Sequence, residues 1–241
     1  MRKADVIIPT FKPGDKLEKL LRRLLEQSVP VGRVIIMNTE EKYWDAERFE
    51  SLFEGKDTKL TVCHIRQSEF DHGRTRHEGI LKSDADVCIC MTHDCVPYDR
   101  NLVKELLEAL DASERVAAAY ARQLPAADCG VIERYTRDFN YPAVSRLKGK
   151  EDELGIKTYF CSDVCAMYRR PIYESLGGFE EKMIFNEDMV MAAKIIQSGY
   201  KVAYAAEAKV IHSHITAVCS NLREILIWRF PRRIFRRSLK K

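Results

Sequence analysis

Val87-Cys88-Ile89-Cys90-Met91-Thr92-His93-Asp94-Cys95-Val96-Pro97 decides the fold. Residues 87–91 are apolar without alternation, so a strand here is buried on both faces. Strands of that kind belong to parallel sheets covered by helices. The acid that follows, Asp94, then stands outside the strand's carboxyl end, where ligands bind in such sheets.

The same alternation of apolar strand and amphipathic helix runs outward in both directions. Asp5 to Pro9 predicts a first strand, and Leu17, Leu20, Leu21, Leu24 and Leu25 fall at helical spacing. Val34 to Met37 and Leu60 to Ile65 predict further strands, and residues 74–82 a short helix. On the other side, Leu102, Val103, Leu106, Leu107 and Leu110 mark a helix, followed by a strand at 116–119. Residues 124–157 are polar, with Pro125, Gly130, Pro142, Gly149 and Gly155, and read as one long loop. Regular structure is expected again at 158–168, from Pro171, after Asn186-Glu187-Asp188 to a stop at Gly199, and at 209–212. The pattern predicts an α/β fold, a single domain with a central, mostly parallel sheet flanked by helices.

Composition agrees with an ordinary globular chain of 241 residues, 46% hydrophobic and 32% charged, which excludes a disordered protein. No apolar run approaches the roughly 18 residues of a spanning helix. Met1 leads straight into the first strand without an apolar signal stretch, so a cytoplasmic protein is expected. Net charge is +4, yet residues 228–241 hold seven Lys or Arg and no acid, leaving 33 basic against 36 acidic residues before them. A mildly acidic body argues against nucleic-acid binding. The tail interleaves Leu222, Ile225, Leu226, Trp228 and Phe230 with arginines, which suits an anionic membrane surface; the alternative is a solvated, partly disordered end. The division expected is 1–218 as the catalytic domain and 219–241 as a basic amphipathic segment. Eight cysteines without a Cys-x-x-Cys pair read as reduced thiols, several of them in apolar strand-like runs.

Gly-x-Gly-x-x-Gly, the P-loop and Gly-x-Ser-x-Gly are all absent. Four other features carry chemistry. Asp94 offers one hard oxygen ligand for Mg²⁺ or Mn²⁺, with substrate phosphates completing the shell, or else caps a turn. Glu187-Asp188 opens a helix, either as plain capping or as a carboxylate base on a rigid start. His212 and His214 share one face of a strand and suit a metal or phosphate, although single histidines are commonly core or surface residues. Phe70-Asp71-His72-Gly73-Arg74-Thr75-Arg76-His77 sets two arginines and two histidines around a helix start that could bind diphosphate, or is a solvated basic turn.

In this order, over residues 4–216, these features resemble the family 2 glycosyltransferases of GT-A fold, and most closely the bacterial rhamnosyltransferases of surface polysaccharides. Val6-Ile7-Ile8-Pro9-Thr10-Phe11 is similar to the family's nucleotide-contacting turn, which implies Pro9 and Thr10 at the donor. His72, Arg74 and Arg76 match the rhamnosyltransferase donor segment. Thr92-His93-Asp94 stands at the Asp-x-Asp metal motif, implying His93 and Asp94 beside the nucleotide sugar. Ser162, Asp163 and Gly178 fall in segments resembling the acceptor side. Glu187-Asp188 matches the catalytic acid pair, with Asp188 as base, and His212-Ser213-His214 the closing His motif, implying both histidines at the metal with Asp94. The chain departs from the family at Thr92, which replaces the motif's first acid as the rhamnosyltransferase subgroup commonly does. It departs also at His77, which replaces Asn, and at Asn38-Thr39-Glu40-Glu41, where many members contact the base through an acid.

The resemblance implies inverting transfer of a sugar, rhamnose from dTDP-rhamnose, to a glycan or lipid-linked acceptor, with a divalent cation and a place on the inner face of the cell membrane. A sugar nucleotidyltransferase and a non-catalytic membrane-associated relative are the alternatives. The first would need a glycine-rich N-terminal loop, and only Gly14 lies near the first strand.

Overall fold

The computed structural model describes residues 3–213, apart from Glu153 and Ile184. Its strands are β1 (Ala4–Phe11), β2 (Arg33–Thr39), β3 (Lys59–Ile65), β4 (Val87–Met91), β5 (Val96–Pro97), β6 (Val116–Leu124), β7 (Arg146–Lys148), β8 (Cys165–Arg169) and β9 (Lys201–Ile211). Its α-helices are α1 (Asp15–Leu25), α2 (Ala46–Glu50), α3 (His72–Leu81), α4 (Leu102–Asp111), α5 (Val131–Asn140), α6 (Arg170–Ser175) and α7 (Glu187–Gln197). One sheet runs in the order β3-β2-β1-β4-β8-β6-β9-β5, with β7 against β9. The first four strands are mutually parallel, as are β6 and β9. β8 enters between β4 and β6 antiparallel to both.

Alternation across the pleat sorts the core into two layers. Val6, Ile8, Val34 and Ile36 meet Leu17, Leu20, Leu21 and Leu24 of α1 and Leu102, Val103, Leu106 and Leu110 of α4. Ile7, Ile35 and Met37 point the other way, where α3, α6 and α7 pack. Each fully buried leucine of α1 contributes about 1.5–3 kcal/mol, so Leu21→Ala alone is expected to cost roughly 2–5 kcal/mol. Lys12, after β1, takes a positive φ of 49°, and the chain turns there into α1.

Three expectations are corrected. Residues 124–157 are not one loop: they hold α5 and β7, followed by a 3₁₀ turn at Gly155–Tyr159. Helix α5 is inverted. Val131, Ile132, Tyr135 and Phe139 fall at helical spacing but lie exposed, while Glu133 and Arg137 turn inward. The late strand expected at 209–212 begins at Lys201, because Val202 to Ala205 pair with β6 despite their helix-tolerant, alanine-rich composition. Regular structure from 158 is a turn until Cys165, where β8 starts.

Among the described residues no helix is long and apolar enough to cross a membrane. The seven described cysteines are free thiols, and burial holds those of Cys88, Cys90, Cys95, Cys161 and Cys165 above the ordinary range. His214 and the segment 219–241 lie outside the described residues.

Candidate active site

The parallel strands bring their carboxyl ends to one edge. Pro9 pairs with Met37 and Thr10 with Asn38, while the β4 end delivers Thr92, His93 and Asp94. The His93 ring hydrogen-bonds the Pro9 carbonyl, joining the first and fourth strand ends. Burial pulls the His93 pKa down, against the opposing pull of Asp94. Asn38 donates through Nδ2 to the Glu40 carbonyl at 3.2 Å and meets His64 Nδ1 at 3.0 Å.

A second group centres on Arg76, only 5% exposed. Arg76 lies on α3, whose start is capped by Asp71 accepting the Arg74 N–H at 2.8 Å. Its Nη1 donates to the His72 carbonyl at 2.9 Å and lies 3.1 Å from Glu187 Oε1. Its Nε is 3.7 Å from Asp163 Oδ2, and Tyr168 donates to Asp163 Oδ1 at 2.6 Å. The Asp163 backbone N–H donates to Asp188 Oδ2 at 3.1 Å, and the Met189 N–H to Asp188 Oδ1 at 2.7 Å. One guanidinium therefore sits among three carboxyls in a dry setting. Burial first, then the neighbouring Glu187 charge, pushes Asp188 up to about 7. Burial holds Asp163 well above the carboxylate range, Arg76 opposing it. Burial alone would lower the Arg76 guanidinium, but Asp163 and Glu187 outweigh it and keep it raised.

A third group joins these two. His212, at the end of β9, places Nε2 3.5 Å from Asp94 Oδ1 and Nδ1 2.9 Å from Gln123 Oε1. Gln123 Nε2 donates to Tyr141 OH at 2.6 Å and to Ser162 Oγ at 2.9 Å. Ser162 precedes Asp163, so Asp94, His212, Gln123, Ser162, Asp163 and Asp188 form a connected series. Its one covalent step is the Ser162–Asp163 peptide bond.

The structure thus unites Asp94, His212, Ser162, Asp163 and Asp188, and joins Arg76 and Glu187 to the same cluster. Other candidate residues stand apart. Arg74 turns back to the Glu69 carbonyl and Glu78, and the His72 ring packs on Phe70. Gly178, at a φ of +67°, packs against His77 and Tyr173, and its carbonyl accepts from Lys194. Gln123, Arg137, Tyr141 and Tyr168 are additions that the motifs did not reveal. Gln123 had a signal: it is a polar residue near the carboxyl end of a buried strand, as Asp94 is.

Six buried side-chain atoms lack a hydrogen-bond partner among the described residues: Thr10 Oγ1, Asn38 Oδ1, Thr39 Oγ1, Thr92 Oγ1, Arg76 Nε and Asp163 Oδ2. All belong to the strand-end edge or to the Arg76 cluster. Unsatisfied buried polar groups are costly, and their concentration here makes this edge the candidate binding site.

For a divalent cation, Asp94 Oδ1 supplies a hard oxygen and His212 Nε2 a nitrogen 3.5 Å away. Among the described residues no group of three or more His, Cys, Asp or Glu could hold an ion. The donor set fits Mg²⁺ or Mn²⁺ as a partial shell, the kind completed by substrate phosphates.

Known proteins agree with this architecture. The family model for glycosyl transferase family 2 matches residues 5–177. The O-antigen chain rhamnosyltransferase RfbN of Salmonella typhimurium is 39% identical over 216 residues, 88% of this chain and 67% of that protein. The O-antigen chain rhamnosyltransferase WbaN of Salmonella anatum is 36% identical over 213 residues, 87% and 65% of the two lengths. The chain spans about two thirds of these relatives. Staphylococcus aureus TarS 1–349, solved with UDP-GlcNAc, superposes with a TM-score of 0.67 at 13% identity, over 89% of this chain and 59% of that one. The mannosyltransferase PcManGT of Pyrobaculum calidifontis, solved with GDP-Man and Mn²⁺, gives 0.66 at 16% identity, over 88% and 56%. These two likenesses are of fold, the GT-A type. On the extent of the family match and the identity of its relatives, the chain belongs to glycosyl transferase family 2.

Proposed function

We propose that the chain transfers a sugar, rhamnose from dTDP-rhamnose, to an acceptor hydroxyl during synthesis of a bacterial surface polysaccharide, inverting the anomeric carbon. The relatives' names support the sugar and the polymer. The observation that carries the chemistry is the buried Asp188 carboxyl, held by two backbone N–H groups and linked through Asp163, Ser162, Gln123 and His212 to Asp94.

Asp188 is the base. Two backbone N–H groups fix its orientation, and burial brings its pKa to the operating range of a general base. The acceptor oxygen gives its proton to Asp188 and bonds to the anomeric carbon. The bond from that carbon to the diphosphate oxygen breaks, and its electron pair leaves with the nucleoside diphosphate. Arg76 keeps Glu187 and Asp163 paired, so that Asp188 can ionise beside them. Pro9, Thr10, Asn38 and His93 line the strand edge proposed for the donor, with His72 and Arg74 of the neighbouring segment. Ser162, Asp163 and Gly178 belong to the acceptor side. Asp94 and His212, with His214, would hold Mg²⁺ or Mn²⁺, which stabilises diphosphate charge when bound.

The proposed catalytic domain is 1–218. The segment 219–241 is proposed to hold the enzyme peripherally on the anionic inner face of the cell membrane, near a lipid-linked acceptor and without nucleic-acid partners. Pelleting with anionic liposomes, with and without residues 228–241, tests that placement. The central test incubates the chain with dTDP-rhamnose and a lipid-linked glycan acceptor, and in parallel with dTTP and rhamnose 1-phosphate, each with and without Mg²⁺ or Mn²⁺. A transferase releases dTDP in the first mixture; release of pyrophosphate in the second would mean a nucleotidyltransferase, and release of neither a non-catalytic relative.

A further inference from the structure

We propose that Gln123 is a positioning residue for this site. It fixes which nitrogen of His212 faces Asp94, and with its other end it holds the Ser162–Asp163 segment beside Asp188. The kinetic consequence rests on the glycosyl transfer proposed above; the geometry does not.

The amide's orientation follows from donor chemistry. Arg137 has only donors, and its Nη1 lies 2.6 Å from Gln123 Oε1, so that end must be the acceptor oxygen. The amide nitrogen then meets Tyr141 OH at 2.6 Å and Ser162 Oγ at 2.9 Å, and both oxygens can accept. A flipped amide would set nitrogen against the guanidinium. Oε1 has no proton to give, so the His212 Nδ1 that lies 2.9 Å from it must carry one. The tautomer is thus assigned from its partners. In the neutral ring the Nε2 lone pair is left facing Asp94 Oδ1 at 3.5 Å. An imidazole free in water favours the opposite tautomer, with its proton on Nε2. Gln123 holds the less common form and aims its lone pair where a cation shared with Asp94 would lie. Orienting partners of this kind typically set ligand tautomer and affinity.

The other arm bears on the base. Ser162 Oγ accepts from Gln123, and the next residue's N–H binds Asp188 Oδ2 at 3.1 Å. Gln123 is only 2% exposed, so each contact it loses leaves a buried polar group unpaired.

Two variants test this role. Gln123→Met keeps the volume and removes every polar contact. Gln123→Glu keeps the acceptor for His212 and Arg137, and the Tyr141 and Ser162 hydroxyls can turn to donate to its carboxylate, so the contacts survive with their direction reversed. The first readout is ¹⁵N–¹H correlation of histidine side chains in the metal-free full chain, at a pH where the ring is neutral. The His212 signal is identified by its loss in His212→Ala. Wild type should show the Nδ1–H form, Gln123→Met the Nε2–H form, and Gln123→Glu the wild-type form. In dTDP release, Gln123→Met should lower kcat about 10–100-fold. Gln123→Glu should keep the Nδ1–H form and a kcat near wild type, as a conservative rescue. Retention of the Nδ1–H form in Gln123→Met overturns the proposal, as does the Nε2–H form in Gln123→Glu. If Gln123→Met fails to fold, Gln123→Glu carries the test alone. If wild type releases no dTDP, glycosyl transfer fails, while the tautomer measurement still decides the positioning role.

Discussion

Asp163 donates its backbone N–H to Asp188 Oδ2 at 3.1 Å while its own carboxyl lies 3.7 Å from Arg76 Nε. One residue therefore orients the proposed base through its main chain and balances the local charge through its side chain. If Asp188 takes the acceptor proton, Asp188→Asn should lower turnover about 10²–10⁴-fold. Donor affinity, measured by calorimetry, should change little, because no contact with the donor is proposed for this carboxyl. Near-normal turnover in the variant would remove Asp188 as base.

The pH profile follows from the same burial. Asp188 sits at about 7 against an ordinary 3.8, and it works only when deprotonated. The value of kcat/KM should rise with pH up to about 7 and level off above it. Glu187 is the second cause of the raised value, so Glu187→Gln should move the rising limb to lower pH. Stability runs the other way. Between 3.8 and about 7 the folded protein holds a proton that the unfolded chain has released, so the Asp188 contribution is lost as pH rises through that window. Thermal melts across the same range check the sign, and a limb that Glu187→Gln leaves in place would contradict the coupling.

Metal dependence should trace to Asp94 and His212. Asp94→Asn and His212→Ala are each expected to raise the Mn²⁺ concentration for half-maximal dTDP release by more than about tenfold. Activity that is independent of added cation and abolished by neither substitution would separate this chain from the metal-assisted route.

Much of this was legible because each signal was local. Val87 to Met91 announced a doubly buried strand, and Asp94 directly after it announced a ligand edge. Of the leucines of α1 at helical spacing, Leu17, Leu20, Leu21 and Leu24 are buried and Leu25 is partly buried against the same core. The inverted helix α5 was overlooked although Val131, Ile132, Tyr135 and Phe139 fall at helical spacing, because Gly130 and Pro142 around it read as loop punctuation. Its apolar face lies exposed, and its polar side serves the site through Arg137 and Glu133. Gln123 stands at a legible strand end, but its role was hidden by distance in sequence: its partners are Arg137, Tyr141, Ser162 and His212, and only the β6–β9 pairing brings the last of these near. The six buried polar atoms that lack a hydrogen bond among the described residues could not be read from the sequence, since burial without a hydrogen bond exists only after folding.

Gly73 gives the sharpest test of packing against function. It lies in the first turn of α3, three residues before Arg76, and a Cβ there would come within 2.1 Å of the Glu180 carbonyl oxygen. That obstacle is main chain, which cannot swing aside as a flexible side-chain end does. Gly73→Ala must therefore push α3 away from the Phe179–Glu180 segment, at a cost of about 1–3 kcal/mol of overpacking. The same push moves the Arg76 guanidinium, whose 3.1 Å contact with Glu187 has little slack. Both the melting temperature and kcat should fall. Gly14→Ala is the control, since nothing lies within 4 Å of a Cβ at Gly14. Equal melting temperatures in the two variants would show that α3 does not make this close approach.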